Sequence, residues 1–142
     1  MAHSTRPLIG INGDFIAAGK HAGSYVRVHA GYFEAVLAAG GLPLILPPLC
    51  KDVKNVELDA LLDRFDGIVL TGGPDIDPRK LGLPPHPSVQ PMTERREESD
   101  RVLVRRLVER QVPVLAIGLG MLQLNVACGG SIYVHLPEEQ PR

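Results

Sequence analysis

Residues 114–126 read VLAIGLGMLQLNV, and the reading of this stretch decides the fold. Its apolar run halts at Gly118, a second glycine follows at Gly120, and apolar residues at helical spacing begin at once. That is the pattern of a strand passing through a tight turn into a helix, the turn on which many hydrolases mount a nucleophile. The apex residue, Gly118, carries no side chain. Outward from this point the same strand-then-helix alternation recurs. PLIGING (7–13), LPLILPP (42–48) and GIVLTGG (67–73) read as buried strands, apolar on both faces and bounded by glycine or proline. Residues 25–39 read as a helix with Val28, Tyr32, Phe33, Val36 and Leu37 on one face, stopped by Gly40 and Gly41. Leu58, Leu61, Leu62 and Phe65 mark a short helix, residues 93–111 a charged amphipathic one, residues 119–128 another, and SIYVHL (131–136) a last short strand.

This alternation implies an α/β fold: a mainly parallel sheet with helices on both faces. Between the third strand and the charged helix lies an irregular segment, 72–92, that carries six prolines. A loop of that length within a compact domain is more often functional than incidental. The chain then ends in the polar stretch LPEEQPR, read as holding no further element.

Composition narrows the function classes. The 142 residues suffice for one domain with a real core, read as a single domain over 1–142. A formal net charge of −1 argues against general binding to nucleic acid or anionic membranes, which needs a basic surplus. Arg95, Arg96, Arg105 and Arg106 sit among acids and read as a solvated helix face. Two cysteines, Cys50 and Cys128, do not make a disulfide framework. No secretory leader and no run of roughly 20 apolar residues is visible, so the expectation is a reduced, cytoplasmic protein.

In a doubly wound sheet, ligands bind at the carboxyl ends of the strands. The loop after Gly13, the TGGPDIDP loop (71–78) and the Gly118 turn all fall at that edge. In TGGPDIDP the glycines can aim backbone N–H groups into a cleft, one way to build an oxyanion site. The competing reading is a tight turn in which Asp75 and Asp77 cap local N–H groups. As a metal site the D-x-D is weak, because no third carboxylate or histidine has suitable spacing. GLGMLQ lacks the third small residue of a dinucleotide fingerprint, Gln123 standing in its place, and Gly19-Lys20-His21 is no phosphate loop. No metal and no cofactor is expected.

Together these motifs resemble the class I glutamine amidotransferase-like family, and within it the peptidase C26 branch that includes γ-glutamyl-γ-aminobutyrate hydrolases. The similarity runs through PLIGI, YFEAVLAAGGLPLILPP, DGIVLTGGPDIDP and LNVACGGSIYVHLP, in order and over essentially the whole chain. It implies a flavodoxin-like fold and a Cys-His-Glu triad that hydrolyses a γ-glutamyl amide through a thioester. The family reads roughly I-C-R-G-x-Q-x-x-N-V at the elbow. Here Gly118 stands at the nucleophilic cysteine, Leu119 at the usual arginine and Leu122 at the usual glutamine, while Gly120, Asn125 and Val126 are kept. The family's histidine and glutamate come from a later W-H-P-E-like segment without a counterpart here, which implies a domain lacking its C-terminal part. His135 reads as a strand-end residue and not the triad histidine, and His3, His21, His29 and His86 have no triad partner. Cys128 reads as a packing residue at a helix end, and Cys50 as a thiol without a base beside it.

The resemblance further implies an oxyanion site at Gly72, Gly73 and Leu119, made by backbone alone and able to outlast the nucleophile. Arg96 and Asp100 match an R-x-x-x-E-like pair of the family but are equally well read as an i, i+4 surface ion pair. The expectation is therefore a hydrolase by descent, inactive in the covalent step, that could hold a small γ-glutamyl or amide ligand; the alternative is a non-catalytic binding or assembly module. An open sheet edge would call for a second copy, a partner or further chain to cover it.

Overall fold

The computed structural model describes residues 6–49 and 55–140. Along the chain run β1 (Leu8–Asn12), β2 (Asp14–Ile16), β3 (Tyr25–Arg27), α1 (Ala30–Ala38), β4 (Leu42–Leu46), α2 (Asn55–Leu62), β5 (Gly67–Leu70), α3 (Glu94–Glu109), β6 (Val114–Ala116), α4 (Leu119–Ala127) and α5 (Leu136–Glu139). A single 3₁₀ turn, Pro78–Leu81, interrupts the proline-rich segment.

Among the described residues four strands make the main sheet in the order β4-β1-β5-β6, every pair parallel. Taken in chain order these strands lie 2-1-3-4, the first four places of the flavodoxin-like order. Side chains alternate across the sheet. Ile68 and Leu70 of β5 point into a core with Leu58 and Leu62 of α2 and Leu103, Val104 and Leu107 of α3. Burying each such side chain contributes roughly 1.5–3 kcal/mol before the entropy of ordering is subtracted. Val69 faces the other way, toward Val36 of α1 and Ala39 at its end. Helices thus cover both faces, as the alternation implies.

Coverage is unequal. On the α1 side, Leu115 of β6 is 60% exposed and the following Ile117 40% exposed. Tyr32, Val36, Ala39, Val69, Leu115 and Ile117 line an open apolar groove there, of about 410 Å³. Among the described residues β6 pairs only with β5, so its outer edge is open.

α2 is fastened to α3 by charge. Arg106 clasps Asp59 with Nε on Oδ1 at 2.6 Å and Nη2 on Oδ2 at 2.5 Å. Arg110 reaches the same carboxylate at 3.3 Å and also pairs with Asp63.

Five expectations need correction. Residues 25–27 are not helical: β3 pairs antiparallel with β2, Asp14 opposite Arg27, Phe15 opposite Val26 and Ile16 opposite Tyr25. The Asp14–Arg27 ion pair (2.8 Å) and the β-branched, aromatic side chains favour the hairpin, and the helix begins only after His29. SIYVHL forms no strand; its end turns into α5, where Glu139 Oε1 accepts the Val134 N–H (2.5 Å) and the His135 N–H (3.0 Å). LPEEQPR therefore does hold an element. Arg96 is not on a solvated face but fully buried. Cys128 caps the end of α4 exposed to solvent and not packed. Cys50 and His3 lie outside the described residues.

Candidate functional site

At the carboxyl ends of β1, β5 and β6 the three expected loops meet. The turn after β6 is built on hydrogen bonds: Ile117 N donates to Leu70 O (2.9 Å), and Gly120 N to Ile117 O (3.0 Å) and Thr71 O (3.2 Å). Gly118 adopts φ 55° and ψ −116°. That conformation is strained for any residue with a Cβ, and it is the sharp strand-to-helix turn that exposes a nucleophile. A Cβ built on Gly118 would touch only Gly72 Cα, at 3.5 Å, which is ordinary contact. Gly120 is required for another reason: a Cβ there would lie 2.6 Å from Leu70 O. The elbow is therefore present in shape, with room for a side chain at its apex.

Gly72 and Gly73 form the opposing wall. The Gly72 N–H is already taken, donating to the Tyr32 hydroxyl at 2.8 Å. The N–H groups of Gly73 and Leu119 donate to no acceptor among the described residues. Leu119 leans on Gly73, its Cδ2 3.0 Å from where a Gly73 Cβ would stand. Beside this wall opens a cleft of about 410 Å³, lined by Asp14, Arg27, Val28, His29, Tyr32 and the Thr71–Pro74 backbone. Gly118 and Leu119 are not among its lining residues but adjoin Gly72 and Gly73.

A buried polar network holds the wall from beneath. Thr71 N donates to Asn12 Oδ1 (2.7 Å) and Thr71 Oγ1 to Asn12 O (3.0 Å). Asp100 accepts from Asn12 Nδ2 (3.0 Å), Arg96 Nε (2.5 Å) and Gln123 Nε2 (2.9 Å). Arg96 Nη2 also donates to Thr71 Oγ1 at 3.2 Å. Arg96 Nη1 ends 3.6 Å from Asp14 Oδ1 without hydrogen-bond geometry, buried and unsatisfied. The expected surface ion pair between Arg96 and Asp100 is thus corrected: both are sealed from solvent, 0% and 1% exposed. It ties β1, β5, α3 and α4 together under the cleft.

Asp14, Arg27, His29 and Tyr32 were not singled out as site residues from sequence. The hairpin and the start of α1 bring them to the cleft; the available signal was their position after the first strand, at the ligand-binding edge. Arg27 is half exposed, its Nη2 on Asp14 Oδ2 at 2.8 Å, and among the described residues the rest of its guanidinium pairs with nothing else, leaving it able to meet an anion. Asp75 and Asp77 serve the turn: Asp75 Oδ2 accepts Gln90 N (2.8 Å), and Asp77 Oδ1 accepts Arg79 N (3.0 Å). The Arg79 guanidinium on Asp77 holds that carboxyl below the usual carboxylate range. Neither His86 nor His135 lines the cleft.

Comparison with known proteins gives a consistent answer. The family model described as Peptidase C26 matches residues 7–142. The "Putative glutamine amidotransferase" of Mycobacterium tuberculosis is 39% identical over 77% of this chain and 35% of its own length. Protein NtpR of Enterococcus hirae is 33% identical over 92% of this chain and 54% of its own. The γ-glutamyl-γ-aminobutyrate hydrolase PuuD of Escherichia coli K12 is 34% identical over 76% of this chain and 41% of its own. The chain thus spans between about a third and about half of the length of these curated relatives.

Proposed function

Since the chain belongs to the peptidase C26 family, we propose that its cleft binds a small γ-glutamyl or related amide ligand and that the covalent step of the family does not run on it. The observation that carries this reading is the Gly118 turn: a nucleophile elbow in shape, φ 55° and ψ −116°, with no nucleophile on it. Two free N–H groups, at Gly73 and Leu119, stand beside it, and backbone donors of this kind survive the loss of a side chain. Arg27 at the cleft mouth offers a guanidinium for the carboxylate that a γ-glutamyl group carries. Loss of the nucleophile removes a factor on the order of 10⁶ in rate, leaving at most the residual effect of binding and the oxyanion donors.

Calorimetry with glutamine, γ-glutamyl-γ-aminobutyrate and their non-γ-glutamyl analogues tests binding. Selective binding that Arg27→Met weakens supports the reading, whereas no binding by any of them removes it. A hydrolysis assay on the same compounds tests the second half. Turnover that persists after Cys50→Ser and Cys128→Ser would overturn the inactive assignment.

A second reading concerns assembly. The open edge of β6 and the apolar groove at Leu115 and Ile117 favour coverage by polypeptide, from further chain or from a second copy. Sedimentation of the chain distinguishes a second copy, which gives a dimer that Leu115→Lys dissolves. No helix among the described residues is long and apolar enough to cross a membrane; the near-neutral charge and paucity of cysteine support a reduced, cytoplasmic setting.

A further inference from the structure

Away from the cleft, the proline-rich segment and the segment after α4 bring together two histidines and a glutamate. His86 Nε2 lies 3.3 Å from Glu138 Oε2, and His135 Nδ1 lies 3.4 Å from Glu138 Oε1. One ligand atom from each residue can be chosen so that all lie within 4.8 Å of one another. We propose that His86, His135 and Glu138 form a binding site for a divalent transition-metal ion of the zinc class.

The distances fit such an ion. A tetrahedral centre with bonds of about 2.0–2.2 Å to nitrogen and oxygen holds its ligands roughly 3.3 Å apart. Each histidine already has a Glu138 oxygen at about that separation, His86 at Oε2 and His135 at Oε1. Imidazole with carboxylate is the donor set of zinc, cobalt and nickel, whereas magnesium and calcium take oxygen ligands.

The surroundings fit as well. His135 Nδ1 is closed to solvent and makes no hydrogen bond, its approach to Glu138 lacking the required geometry. A buried polar atom without a partner calls for an explanation, and a bound ion supplies one. On His86 the other ring nitrogen is held from behind: Nδ1 lies 2.7 Å from Ser88 Oγ. Nδ1 also accepts the Ser88 N–H at 3.2 Å, so the neutral ring carries its proton on Nε2, facing Glu138, and an ion bound there displaces that proton. Glu138 is 66% exposed, leaving a path for the ion to enter and a fourth position for water.

The rings of His86 and His135 stack with centroids 4.4 Å apart and planes 14° from parallel. Each lone pair lies in its own ring plane, so ion binding tilts the rings together and opens the stack. The ion would join the far end of the proline-rich segment to α5. The base of that segment is already closed by Asp75 N on Gln90 O and Met92 N on Asp75 O, both 2.9 Å.

The test is titration of the chelator-treated full chain with ZnCl₂ by calorimetry, and with CoCl₂ by visible absorption. One equivalent should bind, with the intense d–d bands of four-coordinate cobalt. His86→Ala and Glu138→Gln should each weaken binding by at least about tenfold. Circular dichroism of the metal-free variants checks that they fold; Glu138→Gln keeps the shape of α5 and carries the test if His86→Ala does not fold. Absence of stoichiometric binding overturns the proposal. So does binding that these substitutions leave unchanged, which would place the ion on cysteine or other histidines.

Discussion

Arg96 Nε donates to Asp100 Oδ2 at 2.5 Å with both residues sealed from solvent. Taking two charges out of water costs several kcal/mol per ion, and only full hydrogen bonding returns it. Asp100 has that, with donors from Asn12, Arg96 and Gln123. Removing one partner leaves the other charge uncompensated. Arg96→Met should therefore lower unfolding free energy by about 3–5 kcal/mol, and Asp100→Leu by a similar amount. In a double-mutant cycle the two losses should fall well short of adding, and urea denaturation of the four proteins measures this. Additive losses would mean that the pair does not act as a unit.

Gly120 is the point where α4 meets the sheet, its absent Cβ 2.6 Å from both Leu70 Cβ and Leu70 O. Backbone cannot swing aside as a flexible side chain can. Gly120→Ala should cost about 1–3 kcal/mol as overpacking despite the better helix propensity of alanine. Gly19→Ala, with nothing within 4 Å of the added carbon, should leave the midpoint nearly unmoved. Thermal melts of the pair separate the steric term from a general intolerance of substitution.

The strands of the main sheet are legible from the apolar runs PLIGING, LPLILPP and GIVLTGG, but their burial is not: β4 lies at the edge with Leu42, Leu44 and Ile45 exposed. Tyr25–Arg27 is not legible as a strand, since Val28, Tyr32 and Val36 continue a helical period backwards through it and its partner Asp14–Ile16 gives no separate signal. The elbow was legible from two glycines after an apolar run. The depth of Arg96 and Asp100 was not: an i, i+4 pair has the same spacing on a surface as in a core. What buries it is the arrival of Asn12, Thr71 and Gln123 from three other segments. Sequence spacing likewise keeps His86 and His135 apart, and only the turn into α5 brings them face to face.

Asp59 gives the fold a dependence on pH. Hydrogen bonds from Arg106, and its charge beside that of Arg110, hold the carboxyl below its ordinary value of 3.8. A carboxyl with a lowered folded value contributes stability that is fully present above the unfolded value and is lost as pH falls through the folded one. Urea midpoints should decline from about pH 5 downward, and less steeply in Asp59→Asn than in the parent. At neutral pH the variant should be weaker, because α2 loses its clasp on α3. A variant whose midpoint falls with acid as steeply as the parent's would assign the dependence to other carboxyls.

Gly118→Cys returns a thiol to the elbow. The new Cβ meets only Gly72 Cα at ordinary contact distance, so the fold has room for it. The backbone at φ 55° and ψ −116° charges about 1–3 kcal/mol for any Cβ, so the urea midpoint should fall by that amount. In a Cys50→Ser, Cys128→Ser background the single thiol should be alkylated by iodoacetamide in the folded state. Alkylation should proceed faster than for a variant with cysteine at a buried position such as Leu103→Cys. Hydrolysis of γ-glutamyl amides should stay at background if the proposed loss of the covalent step holds, since a thiol needs a base beside it to be activated and to protonate the leaving amine. Acylation of the thiol by a γ-glutamyl thioester, without release, would place the ligand's carbonyl at the Gly73 and Leu119 donors. Turnover restored by this one substitution would mean that the rest of the catalytic apparatus is present after all.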